Sequence, residues 1–183
     1  MNAHQTMQNL EDYAKKNGIV LQGEGPCQFC GAPVARGVFE CHSNLHHIAT
    51  ILDFNDPSCY LTRFLSVDAM ALQHCELHGP WNNHIHLARL FLIFEKNTAW
   101  DYVKTPLLSN IINQYKKNKT AFLIPPPLQH RGCITTSDLL NAHSSEDCKE
   151  IVKQWAKEAY ASFSTHHSLI SSVAGIFINK YYS

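Results

Sequence analysis

The sequence predicts an all-α protein, a helical bundle of five to seven helices with a zinc-knuckle loop near the N-terminus. Apolar residues recur at spacings of three and four over most of the chain, which is typical of amphipathic helices. The stretches between them are short and rich in Gly, Pro, Asn and Ser, which end helices. With 183 residues, 45% of them apolar, the chain is long enough for a core, and we expect residues 1–183 to form a single helical domain.

The first half of the chain is predicted to hold four helices separated by turns. In the second of these, Leu45, Ile48 and Leu52 fall on one face, and Cys41 lies on the same face. The loop at 23–37 is rich in Gly and Pro and has little core of its own, so we interpret it as a metal-binding knuckle. The predicted helices cover residues 7–16, 39–55, 58–77 and 82–96.

The second half begins with a helix that Pro106 opens and that ends in the lysine-rich stretch 116–119. A proline-rich linker follows at 120–134, where three consecutive prolines favour extended backbone. Capping boxes at 135–138 and 144–147 predict a short helix and then a long C-terminal helix over 144–181. The inward face of the long helix is predicted to run from Ile151 to Phe177 and to include His166.

Charge and hydropathy narrow the range of functions. Lys plus Arg and Asp plus Glu number fifteen each, so no broad basic face is available for nucleic acid. No apolar run approaches the roughly 18 residues of a membrane span, and residues 1–15 are too polar for a signal peptide. We therefore expect a cytoplasmic protein with an unknown protein or small-molecule partner, whose seven cysteines are thiols or ligands rather than disulfides.

The motif Cys27-Gln-Phe-Cys30-Gly31 indicates a metal site. Two thiolates three residues apart can bind one ion from a tight turn, and thiolate ligands favour zinc as the cofactor. The trailing glycine permits the positive φ of such a turn. Cys41 is the best third ligand, although a buried cysteine can also serve as a small hydrophobic residue.

The fourth ligand stays open at this point. His42 and His46 are one turn apart on the helix that carries Cys41, and either could supply an imidazole. His74 would have to come from the next helix.

A second group of histidines lies between residues 74 and 86. His74 and His78 share one helix face, and His86 lies on the facing side of the next helix. Together with His166 and Asp68 they could form a second metal site, which would be catalytic if one coordination position stayed open for water. The structural alternative is that these histidines are hydrogen-bonded residues of the core.

Other catalytic templates are absent from the sequence. It has no GxSxG elbow, no Gly-rich phosphate loop, no HExxH, and no HxE paired with PCxxC. One hypothesis is therefore a structural zinc ion in a protein with an interaction or ligand-binding role. The alternative is a metal-dependent hydrolase with Asp68 or Glu76 as general base. A third hypothesis is a redox sensor that uses Cys59, Cys75, Cys133 and Cys148.

Several motifs in one order carry a resemblance to a known family. They are the CxxCG knuckle, Cys41 at the start of a helix, Val67-Asp68 through Gln73-His74, His86-Leu87, Pro125 to Pro127, Gly132-Cys-Ile-Thr135, Trp155-Ala156 and His166-His167. In this order the chain resembles, over about residues 26–170, a bacterial family described only as a domain of unknown function.

The departures from the family pattern are Met70 in place of Tyr, Cys75 in place of Pro, and the lack of a His near Arg63. The resemblance implies no activity, but it adds weight to six polar positions. These are Cys27, Cys30, Cys41, His74, His86 and His166.

Overall fold

The computed structural model describes residues 3–116 and 123–182, with side chains from residue 7 onward. Seven α-helices of nine or more residues and one four-residue helix build this part of the chain, which contains no strand. The predicted all-α class is therefore confirmed. The helices are α1 (Ala3–Lys16), α2 (Gly37–Leu45), α3 (Ile48–Ile51), α4 (Tyr60–Gln73), α5 (Pro80–Phe94), α6 (Lys104–Lys116), α7 (Ser145–Ser162) and α8 (His167–Tyr181).

Helix α4 lies at the centre of the bundle, packed against α7 on one side and α5 on the other. Helix α5 packs in turn against α6 and α8. The largest side chains of this core, among them Leu72, Leu90, Trp155 and Phe177, are fully buried. No helix among the described residues has the length and apolar character needed to cross a membrane.

The predicted knuckle loop closes on itself between α1 and α2. The amide of Gly25 donates to the carbonyl of Ala35 (2.8 Å), and the amide of Gly37 donates to that of Gly25 (2.9 Å). Gly37 has φ of 54°, and a Cβ there would lie 2.0 Å from the carbonyl oxygen of Gln22. Only glycine can therefore stand where the loop turns into α2.

The helix predicted over 39–55 is divided into α2 and α3. Backbone bonds from His46 to Ser43 (3.0 Å) and from His47 to Asn44 (3.0 Å) tighten the chain into a turn. Helix α2 packs against α1, whereas α3 packs against α7. Because the two halves of the apolar stripe have different partners, the helix must break between them.

The prediction of one long helix over 144–181 is also wrong, because two helices cover this range. Its start is correct, since the Ser144 hydroxyl caps α7 by accepting from the amide of Asp147 (3.1 Å). The chain then turns at Phe163, which is the C-cap of α7 and is followed by a 3₁₀ turn over Ser164–His166. Helix α7 packs on α4 and α8 packs on α5 and α6, and one straight helix could not reach both.

Two further boundaries differ from the prediction. Helix α4 ends at Gln73 because His74 leaves the helical region (φ −118°, ψ 37°), and a 3₁₀ turn covers Cys75–Leu77. Residues 117–122, which include most of the lysine-rich stretch and the start of the predicted linker, lie outside the described residues. The rest of the linker is non-helical up to Pro127, whose φ of −53° and ψ of 150° are close to polyproline II.

Candidate metal centre

Four side chains from three parts of the chain converge on one buried point. Cys27 and Cys30 come from the loop, Cys41 from α2, and His74 from the end of α4. Their ligand atoms lie within 4.8 Å of one another, and none of the four residues is more than 5% exposed. In residues 3–116 and 123–182 no other three His, Cys, Asp or Glu donors come together in this way.

The separations between these donor atoms suit a tetrahedral ion. Nε2 of His74 lies 3.3 Å from Sγ of Cys27 and 3.4 Å from Sγ of Cys41, and Sγ of Cys30 lies 3.5 Å from Sγ of Cys41. Metal bonds of about 2.0–2.3 Å at tetrahedral angles would separate such donors by roughly 3.5–3.8 Å. A shift of a few tenths of an ångström would therefore accommodate zinc, and three thiolates with one imidazole form a donor set that zinc prefers.

Local backbone structure explains how the two loop cysteines reach the same point. The amide of Gly31 donates to the carbonyl of Cys27 (2.8 Å), and the amide of Cys27 donates to that of Ala32 (3.0 Å). Gly31 has φ of 75°, as expected for the glycine that follows a CxxC turn. Its amide is used to close the turn rather than to face a sulfur.

The orientation of His74 is set by a backbone hydrogen bond. Nδ1 of His74 lies 2.8 Å from the carbonyl oxygen of Met70, so the proton of the neutral ring is on Nδ1. The lone pair of Nε2 then faces the three thiols. This is the outer contact that metal-ligating histidines commonly make.

The four donors compete for protons when no cation lies between them. Burial by itself lowers the pKa of His74, but hydrogen bonds with Cys27 and Cys30 raise it to about 10. Hydrogen bonds from Cys30 and Cys41 lower the pKa of Cys27, while contacts with Cys27 and Cys30 raise that of Cys41. A divalent cation bound between the four donors would replace the protons that they share.

Arg131 ties the knuckle to the end of α4. Its Nη1 donates to the carbonyls of Phe29 (2.9 Å) and Gln73 (3.0 Å), and its Nε donates to that of Pro126 (2.9 Å). The guanidinium also pairs with the carboxylate of Glu76. The residue is almost fully buried, so this cation fixes the loop beside His74.

The segment after Arg131 closes over the other side of the site. The hydroxyl of Thr136 lies 3.1 Å from Sγ of Cys41 and can donate to it. The side-chain amide of Gln73 donates to the carbonyl of Ile134 (2.8 Å) and accepts from the indole of Trp155 (2.8 Å). The Gln73-His74 pair therefore contributes one metal donor and one anchor for the segment that covers the metal centre.

His42 and His46 do not supply the fourth donor. His46 follows the end of α2 and is exposed, because five residues along a helix place a side chain about 140° away from Cys41. The ring of His42 lies 5.6 Å from that of His74 but outside the group of four. Burial lowers the pKa of His42 to about 3, so it is a neutral imidazole packed beside the site.

Among the described residues, the histidines of the predicted second metal site do not come together as a group of metal donors. His86 instead has its Nδ1 2.7 Å from Oδ1 of Asp68, and Arg89 pairs with the same carboxylate, its Nε lying 2.7 Å from Oδ2. Asp68 is fully buried and its charge is satisfied by these two partners. The ring of His78 lies 5.8 Å from that of His86. This is the hydrogen-bonded arrangement that the structural alternative describes.

His166 lies in a different part of the molecule. Its Nε2 accepts from the amide of Ile124 (3.0 Å), so it joins the proline-rich segment to the corner between α7 and α8. Glu76, considered as a general base, is paired with Arg131. All seven cysteines are free thiols, and Cys133 is the one that is exposed.

Sequence reasoning missed Arg131 and Thr136, which support the metal centre from 55 or more residues away. A signal was present in the turn Gly132 to Thr135, which lies between them and belongs to the motifs of the resemblance. Gly132 has φ of 98°, and a Cβ there would lie 3.0 Å from Cβ of Glu158. This turn positions Arg131 and Thr136, the residues on either side of it.

The fold and this site define an all-α protein with a buried Cys₃His group that could hold a metal ion. The chain belongs to the family of unknown function DUF5946, whose model matches residues 25–164. The match spans all four donors, Arg131 and Thr136, and it confirms the resemblance to a domain of unknown function. No curated protein matches the chain, and no solved structure does.

Proposed function

We propose that zinc binds the Cys₃His group and acts as a structural ion. The observation that carries this proposal is that four protein donors, each at least 95% buried, lie within 4.8 Å of one another. Structural zinc sites are closed by four protein ligands, whereas catalytic ones keep a position for water. The support from Arg131 and from the Met70 carbonyl fits an ion that holds elements together.

The ion would attach a segment that contributes little to the core of the bundle. Between α1 and α2 the chain has no helix, and its buried apolar side chains are few and small apart from Phe29. Metal coordination links this loop to α2 and α4 at once. Such coordination can supply a large share of the folding free energy of a small metal-bearing segment.

We propose that the activity of the protein is binding rather than catalysis. A cleft of about 650 Å³ lies between the proline-rich segment and the α7–α8 corner. Its walls include the exposed side chain of Ile124, three prolines, and His166. Ligand pockets are commonly about 300–1,000 Å³ and mainly apolar, so this cleft fits a small molecule or an extended peptide. The balanced charge of the chain argues against nucleic acid as the partner.

The hydrolase alternative has less support. Of its histidines, His74 belongs to the Cys₃His group, and His166 lines the cleft beside the proline-rich segment. The proposed base Asp68 is neutralised by Arg89. We also place the protein in the cytoplasm, because seven free thiols suit a reducing compartment.

Elemental analysis of the protein purified in reducing buffer tests the metal assignment. We expect stoichiometric zinc in the wild-type protein, and its loss in Cys27→Ser and in His74→Ala. His46→Ala is the matched control, since His46 is an exposed imidazole that follows the helix carrying Cys41. The proposal fails if the wild-type protein binds no metal, or if both ligand variants retain it.

A further inference from the structure

A second cleft, of about 440 Å³, is lined in part by a residue of the candidate metal centre. The knuckle contributes Cys30, Gly31 and Pro33 to its lining, and the segment that follows Arg131 contributes Gly132 and Cys133. Cys30 is the metal donor that lines this cleft. The cleft therefore connects one buried donor with solvent and with a second thiol.

Cys133 differs from the other six thiols because it is exposed. Its backbone is held in place, since the amides of Cys133 (2.7 Å) and Ile134 (3.0 Å) both donate to Oε2 of Glu158. The thiol is therefore presented at the rim of the cleft by an ordered turn. An exposed thiol and a candidate metal-binding cysteine that line the same cleft could act as a reactive and a resolving cysteine.

We propose that Cys133 is an oxidation site through which a hydroperoxide releases the metal, by drawing Cys30 into a disulfide. This inference rests on the proposed zinc site and adds a means of regulating it. The substrate class is a small hydroperoxide such as hydrogen peroxide, which the 440 Å³ cleft admits.

The reaction balances in two steps. In the first, the Cys133 sulfur attacks hydrogen peroxide, an S–O bond forms as the O–O bond breaks, and water leaves. Cys133 becomes a sulfenic acid, oxidised by two electrons, while the peroxide is reduced. In the second, the Cys30 thiolate attacks the Cys133 sulfur, an S–S bond replaces the S–O bond, and hydroxide leaves to take up a proton.

The consequence for the ion follows from the donor set. A disulfide sulfur no longer carries the negative charge that zinc requires, so Cys27, Cys41 and His74 would remain as donors. The new bond would also hold the Cys30 sulfur away from the other three donors. A dithiol reductant would reverse the reaction and restore the site.

The test compares zinc release under hydrogen peroxide in the wild-type protein, in Cys133→Ser, and in Cys59→Ala, whose cysteine is buried and away from the cleft. A colorimetric zinc chelator measures the rate, and peptide mass spectrometry identifies the disulfide. All three proteins are expected to bind zinc in reducing buffer. Release is expected to slow about tenfold in Cys133→Ser alone, because the remaining donors are shielded from peroxide. A Cys30–Cys133 disulfide is expected in the other two proteins.

The inference is overturned if Cys133→Ser releases zinc as fast as the wild-type protein, or if the disulfide joins two metal donors and leaves Cys133 free. Either result leaves the proposed zinc site intact. If the wild-type protein binds no zinc in reducing buffer, the proposed function and this inference fail together.

Discussion

Two buried polar clusters are centred six residues apart, one on Asp68 within α4 and one on His74 at its C-terminal end, and their buried charges are balanced in different ways. Around His74, three sulfurs and one imidazole nitrogen face a common point. Around Asp68, the carboxylate accepts from His86 and Arg89, and its charge is balanced by protein groups. The first cluster could take up a cation from outside the chain, whereas the charge of the second is balanced by protein groups alone.

The comparison shows which property of a histidine indicates a metal. His74 and His86 have similar settings in the sequence, on adjacent helices and among apolar residues. They differ in the neighbours of the ring: sulfurs face Nε2 of His74, and a carboxylate already paired with Arg89 holds Nδ1 of His86. The hydrogen-bond partners, rather than the number of histidines, separate the metal centre from the core network.

Removal of the metal should have the largest effect. Because the proposed ion would join the knuckle to α2 and α4, its chelation is expected to lower the Tm by about 10 °C or more. Differential scanning calorimetry with and without chelator measures the shift. The same shift should appear in His86→Ala, whose imidazole belongs to the other cluster. A chelator effect that disappears in His86→Ala would break the distinction between the two clusters.

Loss of Asp68 should come next in size and should leave the metal in place. Asp68→Ala leaves the guanidinium of Arg89 buried without its partner, which is expected to cost about 3–5 kcal/mol of unfolding free energy. Urea denaturation measures the cost, and elemental analysis of the folded variant measures the metal. The double variant Asp68→Ala/Arg89→Met should recover part of the loss. Depletion of zinc in Asp68→Ala would show that the clusters are coupled.

Arg131 should affect metal affinity more than overall stability. Arg131→Ala removes the bonds to Phe29 and Gln73 that position the knuckle, and outer contacts of this kind are typically worth about 10–100-fold in metal affinity. Competition with a chromophoric chelator measures the affinity. Arg36→Ala is the matched control, because this arginine belongs to the same loop but its side chain is 73% exposed. Equal affinities in the two variants would contradict the proposed role of Arg131.

The smallest effect concerns His78, beside the Asp68 cluster. Burial, together with the neighbouring His86, lowers the pKa of His78 from 6.5 to about 3. Between these values the unfolded chain binds the proton more strongly than the folded one, so stability falls as the pH decreases from 6.5 towards 3.

His78→Asn removes this titration and should lose less stability between pH 7 and pH 5 than the wild-type protein does. Urea midpoints at several pH values measure the slope, with the exposed His143→Asn as control. Parallel pH profiles for wild type and His78→Asn would contradict the assignment.

Much of the fold and three of the four donors could be predicted from the sequence, whereas the fourth donor could not be chosen. The CxxCG spacing and helical periodicity brought Cys27, Cys30 and Cys41 together, because these relations are local. Periodicity places His74 and His86 on helix faces, but it does not determine the angle at which the helices cross or the position where α4 ends. The choice of the fourth donor, His46 or His74, depends on that angle and on that position.

The helices predicted as continuous over 39–55 and 144–181 were wrong for the same reason, because tertiary packing decides where they break. The breaks at His46 and Phe163 are turns that leave the spacing of apolar residues almost unchanged, so the pattern continues through them. What forces each break is the packing of its two halves on different helices. Arg131 and Thr136 were not found because their contacts join distant parts of the chain.

The order of the donors along the chain has a consequence for biosynthesis. All four lie between residues 27 and 74, whereas Arg131 and Thr136 follow much later. Since translation proceeds from the N-terminal end, a nascent chain carries the complete donor set before the covering segment is made. We expect the ion to enter while the site is still open, and a ribosome-arrested chain that ends before Arg131 should already bind zinc.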